Sequence, residues 1–364
     1  MITAQSLSDG AAGAALLAAE RGEDARPWLA EMVAGPVMAH PDEANLFQGA
    51  PAVAFTLATL GQPRALATLD RHVEAITHTR LEAAHRRIDR GELPAKREFD
   101  LIAGLTGLGV YLLRRHGGGE LLRDVLTYLV RLTEPRPDDL PGWWALDGPA
   151  GPAPKWGHGH GNLGMAHGIS GPLALLALAM RRGVSADGHA DAMRRICRWL
   201  DRWRSGEPPR IWWPGAISRA EHDHGTTRSP GPYRPSWCYG TPGIARAQQL
   251  AGLALGDPSR QRLAEAALIW CVTDEAQLSQ LNDVSLCHGW AGLVQTVWRM
   301  GAHDERIRAV VPRLLDGLAV SLLRQPPHER GLLVGETGVL LAQHAASTNA
   351  PPITRWDACL LLND

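Results

Sequence analysis

Apolar positions along this chain fall into two helical patterns. In the first, a run is apolar nearly all round, as in Pro172-Leu-Ala-Leu-Leu-Ala-Leu-Ala-Met180, which predicts a helix buried on most of its faces. In the second, apolar residues form a single stripe. Met193, Ile196, Leu200 and Trp203 share one side, and Arg194, Arg195, Arg198, Asp201 and Arg202 fill the rest, as on a helix that covers a core and faces water. Asp257 and Pro258 supply an N-cap and a first helical residue for a further amphipathic helix over 259–271. Few segments alternate with period two. The pattern predicts an all-α protein in which buried and half-exposed helices alternate in two concentric layers.

A short unit punctuates the buried runs. Gly-x-x-Gly stands as Gly104-Leu-Thr-Gly107, Gly168-Ile-Ser-Gly171, Gly240-Thr-Pro-Gly243, Gly289-Trp-Ala-Gly292 and Gly335-Glu-Thr-Gly338, with a degenerate copy at Gly49-Ala-Pro-Ala52. Successive first glycines lie 46 to 72 residues apart, room for two ordinary helices and their connections. Without a Cβ the chain can turn sharply into the buried helix, and neighbours can approach closely. An open solenoid of such pairs needs polar capping repeats. A closed α/α toroid, with inner helices walling a central cavity, does not, and it is the expected architecture.

The 364 residues are 45% hydrophobic and 21% charged, enough for one large core or two ordinary ones. The long connections, 135–161 and 205–235, are rich in Pro, Gly and Trp, with a possible short strand over 210–214. Neither has room for a second core, so one domain is expected over 1–364. Lys and Arg number 37 against 38 Asp and Glu, a net charge of -1, which argues against gripping nucleic acid or an anionic membrane. Apolar runs stop well short of the ~20 residues that span a bilayer. The polar N-terminus, without a basic and then apolar block, leads us to expect no export signal. Five cysteines in such a chain then point to reduced thiols in the cytoplasm, used for metal binding or catalysis.

Equivalent positions of a closed repeat face one rim. The two residues before each first glycine are Ala166-His167, Cys238-Tyr239, Cys287-His288 and Leu333-Val334, with Asp100 just ahead of Ile102-Ala103. The strongest ligand and acid–base candidates thus share a register. Cys238, Cys287 and His288 form an S,S,N set for zinc, leaving one tetrahedral position open as catalytic zinc requires. His167 is the acid–base candidate, acting as proton donor or acceptor. Asp100 either caps a helix or sets the tautomer of His167. Arg234 either stabilises a developing enolate or forms a loop ion pair, and Tyr239 either donates a hydrogen bond or packs. Cys197, Cys271 and Cys359 read as structural. His158, His160, His222 and His224 invite a second metal site, but the solvated loop is the simpler expectation for both pairs.

These residues resemble the lanthipeptide cyclase (LanC-like) family. The matching segments are Asn162-Leu-Gly-Met-Ala-His-Gly-Ile-Ser-Gly171, Arg234-Pro-Ser-Trp-Cys-Tyr-Gly-Thr-Pro-Gly243, Leu286-Cys-His-Gly-Trp-Ala-Gly292, Phe99-Asp-Leu-Ile-Ala-Gly-Leu-Thr-Gly107 and the C-terminal Trp356-Asp357 with its leucines. Ser170 stands where a proline is common, and the short connections leave little space for the small β-rich extension of some members. The resemblance implies an α/α toroid with Zn2+ on Cys238, Cys287 and His288, surrounded by Asp100, His167, Arg234 and Tyr239. It implies a free-standing cyclase that adds peptide cysteine thiols to dehydroalanine or dehydrobutyrine in a dehydrated, leader-bearing precursor, giving thioether rings. Its partners would be a separate dehydratase and an export transporter. The alternative on the same scaffold is a zinc protein that binds glutathione or another thiol, or adds it to dehydro residues in trans.

Overall fold

The computed structural model describes residues 4–363, the side chains of Pro63 and Arg64 excepted. Thirteen helices of seven residues or more carry the fold among the described residues. They are α1 Ala11–Glu20, α2 Arg26–Met32, α3 Ala50–Thr59, α4 Pro63–Asp89, α5 Leu105–His116, α6 Glu120–Leu132, α7 Ser170–Arg181, α8 His189–Arg202, α9 Thr241–Leu255, α10 Pro258–Thr273, α11 Trp290–Met300, α12 Val311–Arg324 and α13 Glu336–Thr348. Odd-numbered helices form the inner layer and even-numbered ones the outer. Each inner helix contacts the next, and α13 returns to α1, so the ring closes as a toroid. The sequence shows why: α7 is buried along nearly its whole length, whereas α8 buries Met193, Ile196, Cys197, Trp199 and Leu200 and turns its arginines outward. Asp257 caps α10, its carboxylate accepting from the N–H groups of Ser259 and Arg260.

Seven turns rather than six feed the inner layer. Gly10-Ala-Ala-Gly13 opens α1 with the same extended N-cap as Gly104, Gly240, Gly289 and Gly335. It repeats the unit that the pattern of buried runs already displayed. The second glycine of each unit is set by close approach. A Cβ on Gly243 would lie 1.9 Å from the Trp237 carbonyl oxygen, and one on Gly338 would lie 1.9 Å from that of Leu332. The degenerate copy differs in kind, because Gly49 itself has φ 70, a backbone conformation that favours glycine.

Backbone hydrogen bonds join the turns to one another. Leu101 donates to Ala166, Ala166 to Cys238, Cys238 to Cys287, Cys287 to Leu333, and Leu333 to Ser8, while Leu7 donates to Phe47. Ser8, Phe47, Ala166, Cys238, Cys287 and Leu333 each stand two residues before a first glycine. The shared register is therefore a physical ladder around the mouth.

The far end of the toroid is filled from within. The 3-10 turn Trp356–Leu360 is buried, and its chain is held by inner helices on several sides. Asp357 accepts from Gln295 at 2.7 Å and Arg299 at 2.5 Å, Leu362 O from Arg246 at 2.6 Å, and Leu360 O from Trp237 Nε1 at 3.0 Å. Breaking a buried pair such as Arg299–Asp357 costs about 3–5 kcal/mol. The central space expected inside the inner layer is thus closed at its base.

The two long connections fold over one side of the mouth. Strands β1 His160–Asn162 and β2 Ala216–Ser218 pair antiparallel, with Gly161 opposite Ile217. The strand expected over 210–214 is replaced by an isolated bridge between Ser205 and Trp212. Trp144, Trp203 and Trp213 are fully buried beneath this cap. The expectation of solvated loops fails for two histidines here. His160 is buried against Trp156, and His222 is buried and stacked on Trp199. No described helix is long and apolar enough to cross a membrane.

Candidate metal centre

Two turns bring three side chains to one point. Cys238 sits before α9, and Cys287 and His288 before α11; the N–H of Cys238 donates to the Cys287 carbonyl at 3.2 Å. The ligand atoms of Cys238, Cys287 and His288 all lie within 4.8 Å of one another, the only such group of three or more His, Cys, Asp and Glu side chains among the described residues. Two sulfurs and an imidazole nitrogen at this spacing fit a tetrahedral zinc with one further position. Cys197, Cys271 and Cys359 are buried elsewhere, and burial pushes each of their thiols up, as expected of inert core cysteines.

The two site thiols are unequal. A hydrogen bond with Cys287 draws Cys238 below the ordinary thiol range, to about 7, with help from Ser236, Arg234 and His167 and against its burial. The same shared hydrogen bond, together with burial, pushes Cys287 up. Cys238 Sγ also lies 3.7 Å from Ser236 Oγ. Burial pulls His288 down, favouring the neutral imidazole that a metal needs. Asp283 Oδ2 stands 3.6 Å from His288 Nε2, too long for a hydrogen bond but close enough to bias the ring electrostatically.

His167 and Asp100 meet across neighbouring turns. The wholly buried Asp100 carboxylate accepts from the N–H groups of Ala103 and Gly104 at 2.7 and 2.9 Å. Its other oxygen is 2.6 Å from His167 Nδ1. Asp100 thus caps the turn with one carboxylate oxygen and meets His167 Nδ1 with the other. With Nδ1 committed to the carboxylate, Nε2 is the nitrogen left to exchange protons. The His167 and Tyr239 rings are tilted neighbours with centroids 6.2 Å apart. Burial pushes the Tyr239 phenol above its ordinary range, so it stays a neutral hydrogen-bonding group at physiological pH.

Arg234 is half-buried. Its positive charge pulls down both thiols and His288. No carboxylate pairs with it among the described residues, which removes the loop ion pair. All seven expected residues thus gather at one mouth. Sequence reasoning missed Asp283, Ser236 and Asn162. Ser236 was open to discovery, because it holds the same place before its glycine as Asp100 does.

A family model described as lanthionine synthetase C-like protein matches residues 2–361. Nisin biosynthesis protein NisC of Lactococcus lactis subsp. lactis is 22% identical over 267 residues, 69% of this chain and 60% of the relative. The chain thus spans less than two thirds of that protein. A solved nisin cyclase shares the fold with a TM-score of 0.82 at 20% identity, covering 98% of this chain and 92% of the other.

Proposed function

This chain belongs to the lanthionine synthetase C-like family, and from that membership and the geometry of the mouth we propose that it is a zinc-dependent peptide cyclase. Its substrate is a dehydrated precursor peptide, and its product carries lanthionine or methyllanthionine thioether rings. The observation that carries this reading is the convergence of Cys238, Cys287 and His288 within 4.8 Å beside a histidine already oriented by a buried carboxylate.

Cys238, Cys287 and His288 would hold the ion. Zinc bound there would lower the pKa of an incoming cysteine thiol, of which only a few per cent is otherwise ionised at neutral pH. The side chains around the ion do the rest. In the reaction a sulfur–carbon bond forms at the β-carbon of dehydroalanine or dehydrobutyrine while the carbon–carbon π bond breaks. The thiol proton leaves sulfur and a proton arrives at the α-carbon, so the addition is neutral overall. His167 Nε2 accepts or delivers that proton, with Asp100 stabilising the charged ring. Charge passing to the adjacent amide oxygen as an enolate meets Arg234 and the Tyr239 hydroxyl. Such donors, held in place beforehand, are typically worth about 3–4 kcal/mol each. The dehydro residue must come from an earlier dehydration of serine or threonine, the work of a separate dehydratase. Product export would fall to a separate transporter.

The test is incubation with a dehydrated peptide that retains a free cysteine. Consumption of the thiol without mass change, giving a product resistant to thiol alkylation, is expected. Capture of added glutathione without ring closure would replace the cyclase with a thiol transferase acting in trans.

A further inference from the structure

Asn162 ends β1, is fully buried, and makes contacts on both sides of its amide. Its Oδ1 accepts from the Gly164 N–H at 3.0 Å, which fixes the direction in which the amide faces. Its Nδ2 is then turned to Tyr239 Oη at 3.4 Å and to His160 Nε2 at 3.3 Å. An amide nitrogen only donates, so the phenol oxygen is an acceptor here. The phenol's own hydrogen is left for another partner. The Tyr239 ring is confined by two glycines, since a Cβ on Gly164 would lie 2.9 Å from Cδ1 and one on Gly215 3.5 Å from it. His160 is itself neutral, burial drawing it down to about 4. Accepting on Nε2, it carries its hydrogen on Nδ1, which is buried without a partner. Securing the turn before α7 uses the oxygen half of the amide; the nitrogen half is spent on the tyrosine and the histidine.

We propose that Asn162 is a positioning residue that sets the polarity of Tyr239: by donating to the phenol oxygen, it commits the phenol hydrogen to the amide oxygen of the dehydro residue. This rests on the peptide-cyclase reading above. An acceptor in the same place would turn that hydrogen inward and leave the developing enolate with one donor fewer.

Asn162→Asp separates the two halves of the amide. The carboxylate keeps the acceptor for Gly164 but takes hydrogens from Tyr239 and His160. On the zinc-loaded enzyme and a dehydrated cysteine peptide, kcat is expected to fall about ten- to a hundredfold with KM and zinc content unchanged. In a Tyr239→Phe background the same substitution is expected to cost nothing further, because both changes remove one donor. Independent, multiplying losses would overturn the proposal. A second readout does not depend on turnover. The tyrosine Fermi doublet in the Raman difference between wild type and Tyr239→Phe should have the intensity ratio of an accepting phenol, and Asn162→Asp should reverse it. A donor-type ratio in the wild type overturns the inference even if the enzyme cyclises. An accepting ratio in a protein that fails to cyclise overturns the function and keeps the polarity. Should Asn162→Asp lose zinc, Asn162→Ala takes its place in the cycle, with the same absence of further loss expected.

Discussion

From Leu101 through Cys287, and from Leu333 through Phe47, the mouth of the toroid is made from the same parts. Gly240 and Gly289 on one arc and Gly10 and Gly335 on the other cap their helices with the same extended backbone, and rungs of the ladder run through both. The side chains two and one residues before the glycine differ. One arc presents His167, Cys238, Tyr239, Cys287 and His288, and the other Ser8, Asp9, Phe47, Gln48, Leu333 and Val334. The glycines and ladder carry the fold, and the two positions before each glycine are free to carry chemistry. Stability and activity should therefore respond to different substitutions.

The largest separation is expected at His167. His167→Ala should keep zinc and the folded state, at some cost in stability from the buried Asp100 oxygen left without its partner, while ring closure slows about 10²–10⁴-fold, as followed by thiol consumption; loss of zinc would make His167 a ligand instead. Gly338→Ala, on the silent arc, should do the reverse. Its Cβ would meet the Leu332 carbonyl oxygen at 1.9 Å, so the backbone must shift. We expect a loss of about 3 kcal/mol or more in denaturant unfolding, with metal affinity of the folded protein intact. Normal stability would show that the ladder yields.

The cap over the chemical arc adds a pH dependence of comparable size. Desolvation lowers His160 from 6.5 to about 4, opposed by Asp147 and reinforced by Lys96. The unfolded chain binds this proton first, so the contribution is fully present above about pH 6.5 and fades as the pH falls toward 4. The stability lost should reach about 3 kcal/mol, and His160→Gln should flatten that part of the profile in melts between pH 7 and 4.5. The smallest effect is expected at Val334, 40% exposed on the silent arc. Val334→Ala should change stability by no more than about 0.5 kcal/mol and leave zinc content unchanged.

The toroid and the candidate residues were legible because glycine pairs punctuate buried helices at a fixed register, which aligns His167, Cys238 and His288 before any coordinates are known. The Gly10 unit was equally visible in the residues. Other features come from tertiary contacts that leave little local trace. Asp283 stands six residues before Gly289, as Asn162 does before Gly168 and Arg234 before Gly240, but that place lies outside the two residues before each glycine where the ligands stand. Strands of three residues, His160–Asn162 and Ala216–Ser218, are too short for an alternating pattern to emerge. His222 reads as a loop histidine until Trp144, Trp199 and Trp203 close around it. The C-terminal turn shows its leucines in sequence, but not that they seal the base of the ring beneath Trp237.

Zinc measured per chain by elemental analysis, on the wild type and on Cys287→Ala, tests the convergence of the three donors most directly. One zinc in the wild type is expected, and none in a Cys287→Ala protein that remains folded and has lost ring closure. A variant that keeps both its zinc and its activity, or a metal-free wild type that is fully active, would contradict the account.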